Sequence, residues 1–106
     1  MFITEEKATK FWEKVSIGKE NECWQWLGSL DKDGYGLAPH PTINHRKVRA
    51  HRLSYFLYYD TDPLELLVLH RCDNPICVNP HHLFLGTQKD NMRDMIDKGR
   101  RNQPDL

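Results

Sequence analysis

Three residues that bind metal ions readily, Cys72, Cys77 and His82, follow one another with four residues between each pair. Two Asn-Pro dipeptides, Asn74-Pro75 and Asn79-Pro80, lie among them and oppose regular structure, and the segment has too few apolar side chains to pack itself. A tetrahedral Zn2+ held by soft thiolates and an imidazole would fix such a loop, and a structural site takes four protein ligands. Cys23 is the natural fourth: it lies far upstream on another element, so the metal would staple two parts of a small domain together. His81 competes with His82 for the imidazole position. The plainer reading, cysteines as small buried hydrophobes, suits any one of them better than the trio.

A second pair suggests hydrolysis. His70 ends an apolar run, where an imidazole can sit at the rim of a site and take a proton from water. Asn91 follows Gly86 and Thr87 near the start of an expected helix, and its side-chain oxygen suits a hard cation such as Mg2+. Together they outline metal-assisted phosphodiester hydrolysis, although a lone strand-end His or helix-surface Asn is usually structural.

These residues must be positioned by short elements. Thr4 caps an expected helix in which Ala8, Phe11, Trp12 and Val15 form one buried stripe and Gly18 is the stop. Residues 23–27 suit a strand, and Asp33-Gly34 followed by Tyr35-Gly36 reads as the turn of a hairpin with a short returning strand. Ala50, Leu53 and Leu57 keep helical spacing through an aromatic-rich run. Leu66 to His70 and Leu83 to Leu85 read as buried strands, and Thr87 with Asp90 resembles a capping box for a last helix carrying Met92, Met95 and Ile96. The expected division is an N-terminal helix over 1–20, a main domain over 21–100 and a loose tail over 101–106.

The chain has 106 residues, with 15 Lys plus Arg balancing 15 Asp plus Glu. One domain of this size buries only part of its surface and gains from a staple. No apolar run approaches the ~20 residues of a bilayer span, and the first fifteen residues lack the apolar stretch of a secretory leader, so a cytoplasmic protein is expected. Three cysteines in a reducing compartment favour metal or buried thiols over disulfides. Zero net charge argues against coating nucleic acid through an overall positive field. The charge is nevertheless uneven. Residues 34–59 hold Arg46, Lys47, Arg49 and Arg52 with no acid, and residues 89–101 hold five cations against three acids, ending in Lys98, Arg100 and Arg101. Two basic stretches could form one phosphate-facing surface; a solvated strand and a helix end are the ordinary alternative for each.

The run from His70 through Cys72, Asn74-Pro75, Cys77, Asn79-Pro80 and His82, then Gly86-Thr87 and Asn91, resembles the HNH endonuclease signature. More narrowly it is similar to the zinc-containing phage and intron homing endonucleases related to the His-Cys box enzymes. The likeness extends through Cys23-Trp24-Gln25-Trp26, Gly34-Tyr35-Gly36, Ala50-His51-Arg52 and Lys98-Gly99-Arg100, and so covers most of residues 22–100.

The resemblance implies a small α+β single domain with a ββα-metal (His-Me finger) core stapled by one structural zinc. It implies His70 as general base, Asn91 as ligand of a catalytic Mg2+ or Mn2+, and Asn79 as a brace for the loop and the base. The zinc would be held by Cys23, Cys72, Cys77 and His82. The partner would be double-stranded DNA, nicked or cut to leave 5′-phosphate and 3′-hydroxyl ends, in the host cytoplasm if phage-encoded, by a monomer or a homodimer. Leu69 stands where many HNH enzymes carry a further metal ligand, so the His-Cys box arrangement is the closer pattern. Arg46, Lys47, Arg49, Arg52 and Arg100 are the expected DNA-backbone contacts, with Arg49, His51 or Arg52 as the cation near the scissile phosphate. The competing readings are a non-catalytic zinc-stabilised DNA-binding module and a zinc protein that binds another protein.

Overall fold

A computed structural model describes residues 3–87. Helix α1 (Glu5–Glu13) begins at Thr4, whose hydroxyl accepts the N–H of Lys7 at 3.3 Å, and Glu5 and Glu6 sit where the helix dipole favours negative charge. The helix is shorter than its apolar spacing predicts. The N–H of Lys14 turns back to the carbonyls of Phe11 and Trp12, and Val15 leaves the helical stripe to start strand β1 (Val15–Ser16).

Strand β1 pairs antiparallel with β2 (Gln25–Trp26). That pairing replaces the expected hairpin between residues 23–27 and the chain after Gly34. The turn there is closed locally, by a bridge between Leu30 and Gly36 and by the N–H of Asp31 on Tyr35 O, and the following strand β3 (Leu37–Pro39) pairs with β4 (Lys47–Arg49). Helix α2 (Ala50–Tyr59) continues directly from β4; Ala50, His51, Leu53 and Ser54 are buried, and Asp60, at φ 53°, ends the helix in the left-handed region.

Strands β5 (Leu67–His70) and β6 (Leu83–Gly86) form an antiparallel pair in which His70 lies opposite Leu83. Between them run a turn-rich loop and one 3-10 turn, Pro80–His82. The expected last helix with Asn91, the cation Arg100 and the 101–106 tail lie outside the described residues.

Phe11, Val15, Trp26, Ala38, Ala50, Leu53 and Val78 make the core, and Phe11 stacks on Trp26 with ring centroids 5.1 Å apart. Burying aromatic side chains of this size supplies about 1.5–3 kcal/mol apiece. Two glycines wall in Trp26: a Cβ on Gly36 would stand 2.5 Å from its Cδ1, and one on Gly28 2.8 Å from its Nε1. Gly36 therefore lets the backbone pass against the indole and fixes where Tyr35 enters the fold. The described residues form one small compact α+β domain, in which three two-stranded antiparallel sheets are joined by two helices.

Candidate metal centre and the histidine beside it

The loop after β5 is stitched to the segment after β1 by backbone bonds. The N–H of Val78 donates to Trp24 O (2.8 Å), that of Trp26 to Ile76 O (3.2 Å), and Gln25 bridges Cys77. Asn79 completes the seam from beneath. Fully buried, it donates from Nδ2 to Glu20 O (2.8 Å) and Glu22 O (2.6 Å), while its Oδ1 accepts the N–H of His81 (2.9 Å). These bonds draw residues 20–22, with Cys23 next in line, against the Cys72 to Cys77 segment, and they run to Glu20, Glu22 and His81 rather than to His70.

Cys23, Cys72, Cys77 and His82 converge, with all four ligand atoms within 4.8 Å of one another. His82 Nδ1 lies 3.6 Å from Cys77 Sγ and 3.9 Å from Cys23 Sγ. A tetrahedral zinc with sulfur at ~2.3 Å and nitrogen at ~2.0 Å puts its ligand atoms about 3.5–3.8 Å from one another. The donor set and its spacing therefore fit a zinc-like ion with little movement. The closeness of the Cys72 and Cys77 sulfurs pulls the Cys72 thiol below the ordinary cysteine range and pushes that of Cys77 up. A thiolate so readily formed suits exchange of the remaining protons for a soft cation.

The 3-10 turn settles the choice between the adjacent histidines. His82 turns into the cluster, and its carbonyl accepts the N–H of Arg71 at 2.7 Å. His81 points elsewhere, with Nδ1 3.7 Å from Glu20 Oε1 and its ring edge-on to Tyr58 and Trp24.

His70 lies directly behind the cluster. Its Nε2 is 2.9 Å from the carbonyl of Cys77. A carbonyl only accepts, so Nε2 carries the hydrogen and Nδ1 keeps its lone pair. Burial pushes the imidazole below the ordinary histidine value, against the opposing pull of the Cys77 carbonyl. The neutral form, able to accept a proton at Nδ1, is the resting state near pH 7.

Around His70 lie His51 and Arg49, two of the cations expected near the scissile phosphate, and Tyr35, which the sequence offered only as part of a matched stretch. His51, buried on α2, lies with its ring centroid 4.6 Å from that of His70 and donates from Nε2 to Val68 O at 2.8 Å. Its Nδ1 is buried without a partner among the described residues, and burial, reinforced by His70, drives its pKa down to about 3. Tyr35 stacks with both rings, and the Arg49 guanidinium lies 4.0 Å over its centroid. Arg49 is held by Asp31 Oδ2 at 3.1 Å and Asp33 Oδ2 at 3.6 Å. The sequence signal for that anchorage was the Asp31-Lys32-Asp33-Gly34 turn, whose carboxylates precede the aromatic.

The remaining basic residues divide. Arg46 and Lys47 are exposed around the start of β4. Arg52 donates from Nη1 to Leu66 O (2.7 Å) and from Nη2 to Leu64 O (2.8 Å), closing the turn before β5. Its guanidinium is committed to the fold, whereas that of Arg49 lies over Tyr35, whose ring also stacks with His70.

No protein-family model matches the chain, and no solved structure matches it. Two curated proteins do, both from Escherichia phage T7. Protein 7.7 is 43% identical over 79 residues, covering 74% of this chain and 58% of the phage protein. Protein 2.8 is 37% identical over 95 residues, covering 90% of this chain and 63% of the phage protein. The chain thus spans about three fifths of the length of these relatives, whose names state no activity. Among the described residues no helix is long and apolar enough to cross a membrane.

Proposed function

We propose that this chain is an HNH-type, metal-dependent DNA endonuclease whose ββα-metal core is stapled by zinc on Cys23, Cys72, Cys77 and His82. The observation that carries the reading is the anchorage of His70. Standing at the end of β5 with Nε2–H fixed on the Cys77 carbonyl, it keeps an unprotonated Nδ1 for a water molecule. The antiparallel β5 and β6 supply the two strands such a core needs, with the turn-rich loop between them.

In the proposed reaction His70 Nδ1 takes the proton of a water that attacks phosphorus in line with the 3′ oxygen; the bond from phosphorus to that oxygen breaks and the oxygen takes a proton from solvent, leaving 5′-phosphate and 3′-hydroxyl ends. Arg49 holds a phosphate oxygen and counters the charge that builds there. Arg46 and Lys47 hold the neighbouring backbone, with Arg100 as a further contact. A Mg2+ or Mn2+ ion on Asn91 would supply Lewis-acid polarisation of the scissile phosphate. Cys77 supports both sites, through Sγ for zinc and through its carbonyl for the base.

The test is relaxation of a supercoiled plasmid with Mg2+ or Mn2+, with and without EDTA. The expected result is divalent-ion-dependent nicking that His70→Ala abolishes while zinc content and circular dichroism persist. Cleavage retained in His70→Ala overturns the assigned base, and a DNA mobility shift without relaxation favours the non-catalytic DNA-binding module.

A further inference from the structure

We infer that Tyr35 is a positioning residue of the hydrolytic site, its ring fixing the Arg49 guanidinium and the His51–His70 imidazole pair in one stacked array. The inference rests on the nuclease reading above and adds to it a residue that sets the separation between phosphate-holding cation and base.

Tyr35 touches all three partners. The guanidinium carbon of Arg49 is 4.0 Å from its ring centroid, and His51 and His70 lie at 5.3 and 6.0 Å with interplanar angles of 28° and 30°. Each member of the array is tied to the fold. His51 is tied to Val68 O and His70 to Cys77 O. Arg49 and Tyr35 share one carboxylate: Asp31 Oδ2 accepts Arg49 Nε, and Oδ1 accepts the backbone N–H of Tyr35 at 3.0 Å. The N–H of Asp31 donates in return to Tyr35 O at 2.8 Å.

The backbone on either side is also constrained. Gly34, at φ 87°, turns in a region other residues resist, and Gly36 passes against Trp26 where no Cβ fits. The ring is therefore held before any substrate arrives, which is what a site with preset geometry requires. His51 fits the same role. Its hydrogen is spent on Val68 O and its other nitrogen is buried, so it stays an uncharged spacer that does not repel Arg49. Arg49 Nε and Nη2 face Asp31 and Asp33, and the inference assigns Nη1 to a phosphate oxygen.

The experiment uses the zinc-loaded full chain and compares Tyr35→Leu with Tyr35→Phe. Single-turnover nicking of supercoiled plasmid in Mn2+ should slow about tenfold or more in Tyr35→Leu at saturating DNA. Half-saturation should shift less than about threefold, because the backbone contacts remain. Tyr35→Phe should restore the rate, since the ring and not the hydroxyl does the positioning. Asp31→Asn, which loosens the shared anchor without emptying the site, should slow cleavage in the same direction and serves if Tyr35→Leu fails to fold.

Wild-type rates in Tyr35→Leu, or an equal loss in Tyr35→Phe, overturn the inference. Failure of the wild type to cut with any divalent ion overturns the nuclease reading instead. The array is then judged by imidazole nitrogen–proton correlation spectra: His70 should give one Nε2–H set in wild type and Tyr35→Phe and an averaged or doubled set in Tyr35→Leu. Unchanged spectra in Tyr35→Leu also overturn it.

Discussion

The carbonyl of Cys77 accepts the Nε2–H of His70 at 2.9 Å while the sulfur of the same residue stands 3.6 Å from His82 Nδ1. One residue thereby joins the metal cluster to the imidazole that the proposed chemistry uses. Any shift of the loop that carries Cys77 shifts the group that fixes the tautomer and ring plane of His70.

Metal removal should therefore act on fold and site together. Cys23→Ser or Cys77→Ser should lower bound zinc well below one ion per chain, measured by elemental analysis, and should lower the melting temperature by ~10 °C or more. Treating the wild type with a strong chelator should reproduce both changes. A chain that melts unchanged without zinc would remove the staple from the description.

His51 predicts a pH dependence. Its pKa falls from the ordinary 6.5 to about 3 through burial, with the charges of His70, Arg49 and Arg52 adding to the effect and Tyr35 covering the ring. The unfolded chain binds the extra proton between those values, so its share of stability is full above about pH 6.5 and is lost progressively as pH falls towards 3. At ~1.4 kcal/mol per unit the loss amounts to several kcal/mol. His51→Leu should flatten the fall in melting temperature between pH 6.5 and 4.5. The comparison is made at equal zinc content, because acid also strips metal from thiolates and His82.

Asn79 should be among the costliest polar side chains to replace. Asn79→Ala leaves the carbonyls of Glu20 and Glu22 without their donor and frees the N–H of His81, a cost of about 1–3 kcal/mol in urea unfolding. Asn79→Asp should do no better, since a carboxylate cannot donate to Glu20 O and Glu22 O.

Arg49 and Arg52, three positions apart, should separate cleanly. Arg52→Ala should cost about 1–3 kcal/mol of stability through the lost carbonyl bonds and change cleavage little below its melting temperature. Arg49→Ala should slow single-turnover cleavage roughly 10- to 100-fold and reduce the salt dependence of DNA binding by about one counterion. The reverse pattern would exchange their roles.

Much of this arrangement was legible in residue order. Thr4, the apolar run ending at His70 and the spacing of Cys72, Cys77 and His82 each carry a local physical signal, and the structure places them as those signals predict. What was not legible depended on tertiary pairing. Two-residue strands leave no alternation to read, so nothing in residues 23–27 announces that Trp26 pairs with Val15 rather than with the chain after Gly34. His81 and His82 are chemically the same in sequence, and only the 3-10 turn rotates one into the cluster and the other onto Tyr58 and Trp24. Tyr35 gave no titratable or ligating signal at all; its contacts with Arg49, His51 and His70 arise because three separate segments meet there.

Cys23 and His82 are 59 positions apart. Joining the ends of a flexible segment that long costs on the order of 4 kcal/mol in loop entropy before any contact repays it. During synthesis the first ligand waits while nearly the whole domain is made, and no ion can find a complete site until His82 has emerged. On the proposed zinc reading, metal capture is then a late event that reports the arrival of both distant segments, and the rate at which zinc-loaded protein accumulates should follow the supply of free zinc as well as the speed of translation.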